Sequence, residues 1–162
     1  MKPIIFVLAA ASALFLTPAW SAGGGGGGGG DGGGEVSTTA SDPDFRAGIQ
    51  AWKQQDWQQV LTRMRAVTDR HPLDADAWNY MGHAARQLGA LDQAFNHYQR
   101  ALLLDPAHRG AHEYAGEAYL LVGNLAQAEQ HLNALANLCR PTCEEHDELK
   151  AKVERYRRDH PA

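Results

Sequence analysis

Apolar residues recur at helical spacing in pairs of short segments from about residue 42 to the C-terminus. In the clearest pair, predicted at 75–88 and 91–104, Trp78, Tyr98 and Leu102 fall on the faces that would meet. Strand-like alternation is scarce, and Ala, Leu, Gln, Arg and Glu dominate the composition. The pattern predicts an all-α domain.

The helical pattern repeats along the chain. The segment AWNYMGHAARQLGALDQAFNHYQRALLLDP aligns with AHEYAGEAYLLVGNLAQAEQHLNALANLCRP at a separation of 34 residues. A weaker copy precedes them, with Val60 in place of Ala94 and Gln55 in place of the turn residue Gly89. This pattern resembles the tetratricopeptide repeat, whose period is about 34 residues. The resemblance implies a right-handed helical-repeat solenoid of about three helix pairs, at 41–74, 75–108 and 109–142.

Residues 143–160 are predicted to form a C-terminal capping helix. Acidic residues crowd its first turns and arginines lie near its end, an order that complements the helix macrodipole. Leu149, Val153 and Tyr156 recur at i, i+4 and i+7 and would cover the apolar face of the third repeat.

Residues 1–21 have the pattern of a secretory signal peptide. Lys2 precedes an apolar run that ends before Pro18, and cleavage after Ser21 would place small residues at the recognised positions. The run is shorter than the roughly 20 residues that cross a bilayer as a helix. We therefore expect a periplasmic or secreted protein, with an uncleaved N-terminal anchor as the alternative.

A glycine tract follows, and residues 22–41 are predicted to be a disordered tether, because glycine offers no side chain to bury. A phosphate-binding glycine loop needs a strand before it and a helix after it, and neither flanks this tract. The formal net charge of -4 carries no basic run, which argues against nucleic acid or an anionic membrane surface as a partner.

Cys139 and Cys143 are the two cysteines of the chain, with Pro141 between them. An oxidising compartment favours a disulfide that would fix the capping helix to the last repeat. The alternatives are a metal site that includes His146, a thiol-redox centre and two free thiols. The tail also resembles that of small exported bacterial repeat proteins.

Catalysis and cofactors are not expected, because no nucleophile, histidine and acid fall into a recognisable grouping. Eight histidines raise the possibility of a metal site. His108 and His112 are four residues apart, but a repeat boundary is expected between them. His97 and His131 occupy equivalent positions and are predicted to lie on a solvated outer face.

The resemblance also implies a concave groove that takes peptides or partner helices and is lined by the first helix of each repeat. Arg46, Lys53 and Arg86 would make its early part basic, and an extended ligand would place its acidic end there. An alternative for Phe45 and Trp52 is packing beneath the N-terminal segment. The predicted groove residues are Phe45, Ile49, Trp52, Lys53, Asn79, His83, Arg86, Gln87, Glu113, Glu117, Leu120 and Leu121.

Some members of this repeat family clamp a ligand's carboxylate with lysines and asparagines. Asn79 is an isolated match to that set and the supporting lysines are missing, so this activity is not expected here.

These features predict an exported, non-enzymatic scaffold that binds another protein or a peptide, as a monomer or weak homo-oligomer. Membrane attachment is expected only if the N-terminal segment is retained. Two alternatives remain: a self-assembling structural protein, and a periplasmic metal-binding protein that uses its histidines.

Overall fold

The computed structural model describes residues 38–161, and the predicted signal peptide and most of the predicted tether lie outside them. The described chain is helical throughout. None of its helices is both long and apolar enough to cross a membrane. The elements are a 3₁₀ helix (Thr38–Ser41), α1 (Pro43–Lys53), α2 (Trp57–Arg70), α3 (Ala75–Gln87), α4 (Leu91–Leu104), α5 (Arg109–Leu121), α6 (Leu125–Leu138) and α7 (Glu144–Asp159).

The α-helices pair as the 34-residue repeat predicts. α1 packs on α2, α3 on α4 and α5 on α6, and each pair contacts the next through its neighbouring helices. The predicted helices at 75–88 and 91–104 correspond to α3 and α4 within one residue at each end. The predicted all-α helical-repeat solenoid with a capping helix is confirmed.

Side chains at the helix starts and backbone turns between helices set these boundaries. Asp56, Asp74 and Asn124 each accept a hydrogen bond from a backbone N–H in the first turn of the helix that follows. Gly89 and the equivalent Gln55 both have positive φ, 77° and 59° respectively, at the turn inside a helix pair. Gln55 therefore adopts the left-handed conformation that its glycine counterpart adopts at no steric cost.

Small residues let the helices of one pair approach each other. Ala94 is completely buried, and a Cβ added at Gly82 would lie 2.5 Å from the ring of Tyr98. The neighbour of Gly82 is therefore a buried aromatic ring. The equivalent Gly116 accommodates Leu149, a residue of α7.

The start of the described chain packs against the first repeat. Thr39 is buried and its hydroxyl donates a hydrogen bond to the carboxylate of Asp74. Asp42 caps α1 and accepts hydrogen bonds from both Nε and Nη2 of Arg70 at 2.9–3.3 Å. The last four residues of the predicted tether are thus part of the folded domain.

The capping helix is joined to α6 by the cysteine pair. Cys139 ends α6 and Cys143 precedes α7, their Cα atoms are 5.4 Å apart, and their sulfur atoms are bonded as a disulfide. His146, considered as a metal ligand, instead lies 3.0 Å from the carboxylate of Asp147. Leu149 and Val153 are fully buried, as the predicted apolar stripe requires, and with Ala128, Leu135 and Cys139 they form what we call the third core cluster.

Candidate partner-binding groove

One groove of about 680 Å³ runs across α1, α3, α5 and the first half of α7, with a smaller cavity of about 380 Å³ beside it. We refer to the larger space as the groove. Its lining comprises Trp52, Asp76, Asn79, Tyr80, His83, Arg86, Gln87, His108, Gly110, Glu113, Tyr114, Glu117, Glu144, Glu145, Glu148 and Lys152.

Most of the predicted groove residues come together there. The seven that line it are Trp52, Asn79, His83, Arg86, Gln87, Glu113 and Glu117. Lys53 lines the smaller cavity instead, together with Trp52, Trp57 and His83. That these residues bind a partner stays a prediction.

Four other predicted residues do not line the groove. Phe45 packs edge-on against Tyr80, with ring centroids 6.1 Å apart. Phe45 and Ile49 both pack against the buried core of the first repeat, which includes Val60, Met64 and Val67. Leu120 packs against the third core cluster, and the neighbouring Leu121 is largely exposed outside the groove. The 34-residue register placed these side chains on the correct helices, but their apolar surface is used for core packing.

Aromatic side chains surround His83 in the part of the groove next to the first repeat. The ring of His83 lies 5.8 Å from Trp52, 5.2 Å from Trp57 and 4.7 Å from Tyr114, measured between centroids. Tyr80 packs against Trp52 from the other side. We call these five residues the aromatic half of the groove.

The hydrogen bonds of His83 define its neutral form. Nε1 of Trp52 donates to Nδ1 of His83 at 3.2 Å, so the ring proton must reside on Nε2. Nε2 lies 3.4 Å from the side-chain nitrogen of Gln87, and a 180° rotation of that carboxamide places its oxygen there to accept the Nε2–H. Burial, with further contributions from Arg86 and Lys152, lowers the pKa of His83 to about 4. His83 is only 7% exposed, so its neighbours cover most of its ring at the floor of the groove.

The other part of the groove is built around three carboxyl groups. Glu113 and Glu117 lie one turn apart on α5, and Glu148 of α7 brings its carboxylate within 4.8 Å of both. Nζ of Lys152 contacts all three, at 3.8 Å from Glu113, at 3.4 Å from Glu148 and in direct hydrogen bonding to Glu117. We call these four residues the acidic half of the groove.

Arg86 joins the two halves. Its Nη2 lies 2.8 Å from Glu117, and its guanidinium carbon lies 5.7 Å from the ring centre of Tyr114. Glu117 is therefore shared between two cations, Arg86 from α3 and Lys152 from α7. Buried carboxylates need such compensation, because desolvation of a single uncompensated charge costs several kcal/mol.

Glu113 is only 6% exposed, and the carboxyl groups of Glu117 and Glu148 lie next to it. Burial, the charge of Glu117 and a hydrogen bond with Glu148 raise its pKa to about 8, although Lys152 opposes the shift. Near neutral pH Glu113 is therefore largely protonated and donates to Glu148. The ionic partners of Lys152 are then Glu117 and Glu148.

Of the three residues expected to make the early groove basic, only Lys53 lies near it without an ion pair in residues 38–161, and it lines the smaller cavity. Arg46 donates to the backbone carbonyl of Ser41, outside the groove, and the charge of Arg86 is neutralised by Glu117. The expected orientation of a ligand, with its acidic end at the first repeat, therefore loses its basis.

The contribution of α7 was missed at the sequence level. Glu144, Glu148 and Lys152 are spaced by four residues and so share one face of this helix, which lies along the groove. That spacing indicates a polar face on α7. Nothing in the sequence pattern indicates that this face meets α5. Asp76, which lies 3.0 Å from Nε2 of His108, was also missed.

The histidines do not assemble into a metal centre. Among residues 38–161, the two groups of three potential ligands are Cys139, Cys143 and Glu145, and Glu113, Glu117 and Glu148, neither with a histidine. His131 was predicted to be solvated, but it packs against Tyr119 and lies 3.0 Å from His112. Burial, and then the proximity of His112, lowers its pKa to about 4.

Comparison with known proteins identifies the repeat. The pattern of the family described as tetratricopeptide repeat matches residues 75–108, and no curated protein sequence matches the chain.

Three solved structures share the fold. The type III secretion translocator chaperone SycD of Yersinia enterocolitica is 19% identical, with a TM-score of 0.68 over 80% of this chain and 96% of that one. PcrH, in complex with the chaperone-binding region of PopD, is 19% identical, with a TM-score of 0.66 over 77% and 96% of the two chains. The first repeat domain of Spaghetti (RPAP3), bound to the HSP90 peptide SRMEEVD, is 18% identical, with a TM-score of 0.61 over 68% and 86%.

Proposed function

We propose that this chain, which contains a tetratricopeptide repeat and has the fold of tetratricopeptide-repeat proteins, is an exported, non-enzymatic adaptor that binds a peptide or a partner helix in the groove. The observation that carries the proposal is the groove itself. Its walls come from the first helices of all three repeats and its end is closed by α7.

The form of the groove supports a polypeptide ligand. It is open along its length and about 680 Å³ in volume, with aromatic surfaces and charged groups side by side. Such a surface can bury apolar side chains of a ligand while its polar groups fix the ligand's register. PcrH is in complex with the chaperone-binding region of PopD and Spaghetti is bound to a peptide, which supports the same kind of partner here.

Site-specific photo-crosslinking tests the groove. Gln87 is exposed and lines the groove, whereas Gln99 is an exposed glutamine on α4 outside it. A photo-reactive residue at position 87, introduced in the native cell, should give a discrete adduct with another protein, and the same residue at position 99 should not.

The same experiment separates the alternatives. Adducts only at position 99, or none at either position, would overturn the groove as the binding site. An adduct of the chain with itself, together with a concentration-dependent mass by light scattering, would favour the self-assembling structural protein. The metal-binding alternative gains no support from the arrangement of the histidines in residues 38–161.

Export is proposed from the sequence of residues 1–21 and the cysteine pair. The protein purified from its native host should begin at Ala22 and have the mass of a disulfide-bonded chain. A membrane-bound protein that keeps its first residues would instead indicate an N-terminal anchor.

A further inference from the structure

We propose that the occupant of the groove is a cationic peptide segment, whose Lys or Arg side chains bind the acidic half while their alkyl stems lie on the aromatic half. This inference rests on the proposed function, since it specifies the chemistry of the ligand of that same groove.

The first argument is charge. Apart from Glu113, which is protonated near neutral pH, five acidic side chains line the groove against two cationic ones, Arg86 and Lys152, in addition to His83 and His108. Both cations converge on Glu117. Glu144 and Glu148 stand at the exposed rim of the groove, and Glu144 has no ion pair within residues 38–161. A further positive charge can therefore be accommodated, whereas a carboxylate would be repelled.

Lys152 shows what kind of group the carboxyl cluster accepts. Its ammonium contacts Glu113, Glu117 and Glu148 at once, although its side chain is 40% exposed and arrives from the capping helix. The cluster thus already binds a primary ammonium at the end of an alkyl chain. A ligand lysine or arginine that enters from the rim would meet Glu148 and Glu144 in the same manner.

The aromatic half supplies the complementary surface. Trp52, Tyr80 and Tyr114 line the groove beside the acids, and aromatic faces attract cations and accommodate the methylene stems of long basic side chains. Arg86 already lies over Tyr114 in this way.

Asn79 adds an independent observation. It lines the same groove, is 5% exposed, and its carboxamide oxygen has no hydrogen-bond partner in the described part of the chain. An acceptor without a donor is costly in a buried position. A guanidinium, an ammonium or a backbone N–H of a ligand would supply the missing donor.

Selection from a phage-displayed library of random dodecapeptides tests the inference with the folded, oxidised protein. We expect the enriched peptides to be rich in Lys and Arg interspersed with apolar residues. A synthetic copy of an enriched peptide should bind with an affinity that falls steeply with salt.

Two charge reversals on α7 provide the matched comparison. Glu148→Lys places a positive charge at the groove rim, and Glu154→Lys makes the same change at an exposed position of the same helix outside the groove. The dissociation constant of the basic peptide should rise at least about tenfold in E148K and less than about twofold in E154K.

The outcomes distinguish failure of this inference from failure of the proposed function on which it rests. Enriched peptides that are neutral or acidic, yet fail to bind when Gln87 is replaced by a bulky residue such as Trp, would overturn the cationic ligand and leave the groove as a binding site. A basic peptide that E148K and E154K weaken equally would also overturn it. Failure to enrich any peptide that depends on the groove would overturn both.

Discussion

The two halves of the groove contain residues at equivalent repeat positions. These residues are buried in both halves but differ in polarity. Asn79 and His83 of α3 are matched, 34 residues later, by Glu113 and Glu117 of α5. The α3 residues are neutral, and His83 is held by a hydrogen bond from Trp52 within an aromatic shell. Of the α5 residues, Glu117 is an acid that depends on cations from other helices, Arg86 and Lys152, whereas Glu113 is protonated and faces Glu148.

This difference shows which constraint the repeat imposes at these positions and which it leaves free. The repeat fixes the direction of the side chain, because α3 and α5 have the same place in their helix pairs. It does not fix the polarity, provided that a partner satisfies the buried group. In the third repeat, one of the partners that satisfy Glu117 is Lys152 of α7, a helix that lies outside the repeat pattern.

Removal of Glu117 should have the largest effect on this comparison. Glu117→Ala leaves Arg86 and Lys152 close together without their shared carboxylate, which we expect to lower the free energy of unfolding by about 3 kcal/mol. His83→Ala, at the equivalent position, removes a neutral ring and should cost about 2 kcal/mol through a cavity and an unsatisfied Trp52 N–H. Urea unfolding followed by circular dichroism measures both. Equal costs, or a larger cost for H83A, would contradict the view that the acidic half depends on charge compensation.

The disulfide provides the next test, because it holds the helix that supplies Glu148 and Lys152. Cys143→Ser should lower the free energy of unfolding by about 2 kcal/mol under oxidising conditions, on the chain-entropy estimate for so short a ring. In reductant, wild type and C143S should unfold alike. Trp52, Trp57 and Trp78 lie in the first two repeats and Trp20 lies in the predicted signal peptide, so native tryptophan fluorescence should change little in C143S. A deficit that persists in reductant would mean that the thiol contributes by packing rather than by a bridge.

The repeat architecture was predictable because the sequence has local markers for it. Gly89 gives the turn inside the second pair, Pro106 follows the end of α4, and apolar residues recur at helical spacing between them. Tetratricopeptide spacing then assigns α1, α3 and α5 to the concave side, which is sufficient to place His83 and Glu117 in the groove.

The acidic half could be predicted only in part, because its assembly depends on packing between distant segments. The position of α7 follows from the insertion of Leu149 at Gly116, and nothing in the spacing of either residue indicates that contact. The pairing of Glu117 with both Arg86 and Lys152 likewise depends on the geometry of three helices. Phe45, Ile49 and Leu120 illustrate the reverse error, since helical register alone does not distinguish a groove-lining side chain from one that packs into the core.

Glu113 should make stability fall as pH rises through neutrality, whereas the raised pKa values of Tyr80 and Tyr114 in the aromatic half act only at alkaline pH. The pKa of Glu113 is raised to about 8 in the folded protein, so the folded state holds a proton that the unfolded state releases near its ordinary pKa of 4.5. The contribution of Glu113 therefore falls as pH rises from about 4.5 to about 8.

The histidines act in the opposite direction. The pKa values of His83 and His131 are lowered to about 4, so their contributions are present above the ordinary value of 6.5 and are lost as pH falls below it. Between pH 6.5 and 8, Glu113 should therefore set the slope among these three groups. Wild type should lose up to about 2 kcal/mol across this interval, and Glu113→Gln should be nearly flat. Denaturant titrations at several pH values check this, and a wild-type curve that stays flat would exclude a protonated Glu113.

The smallest expected effect concerns the hydrogen bond that Trp52 donates to His83 in the aromatic half. Trp52→Phe removes the donor to Nδ1 of His83 but retains an aromatic ring, and should cost about 1 kcal/mol. Trp57→Phe is the matched control, because Trp57 packs on His83 with ring centroids 5.2 Å apart and forms no hydrogen bond with it in the described structure. Nitrogen-15 NMR of the imidazole should report an Nε2–H tautomer in wild type and W57F, and a changed tautomer balance in W52F only. An Nδ1–H tautomer in wild type would mean that the Trp52 contact does not determine the state of His83, and the contrast between a hydrogen-bonded neutral half and a charge-compensated acidic half would then lose its basis.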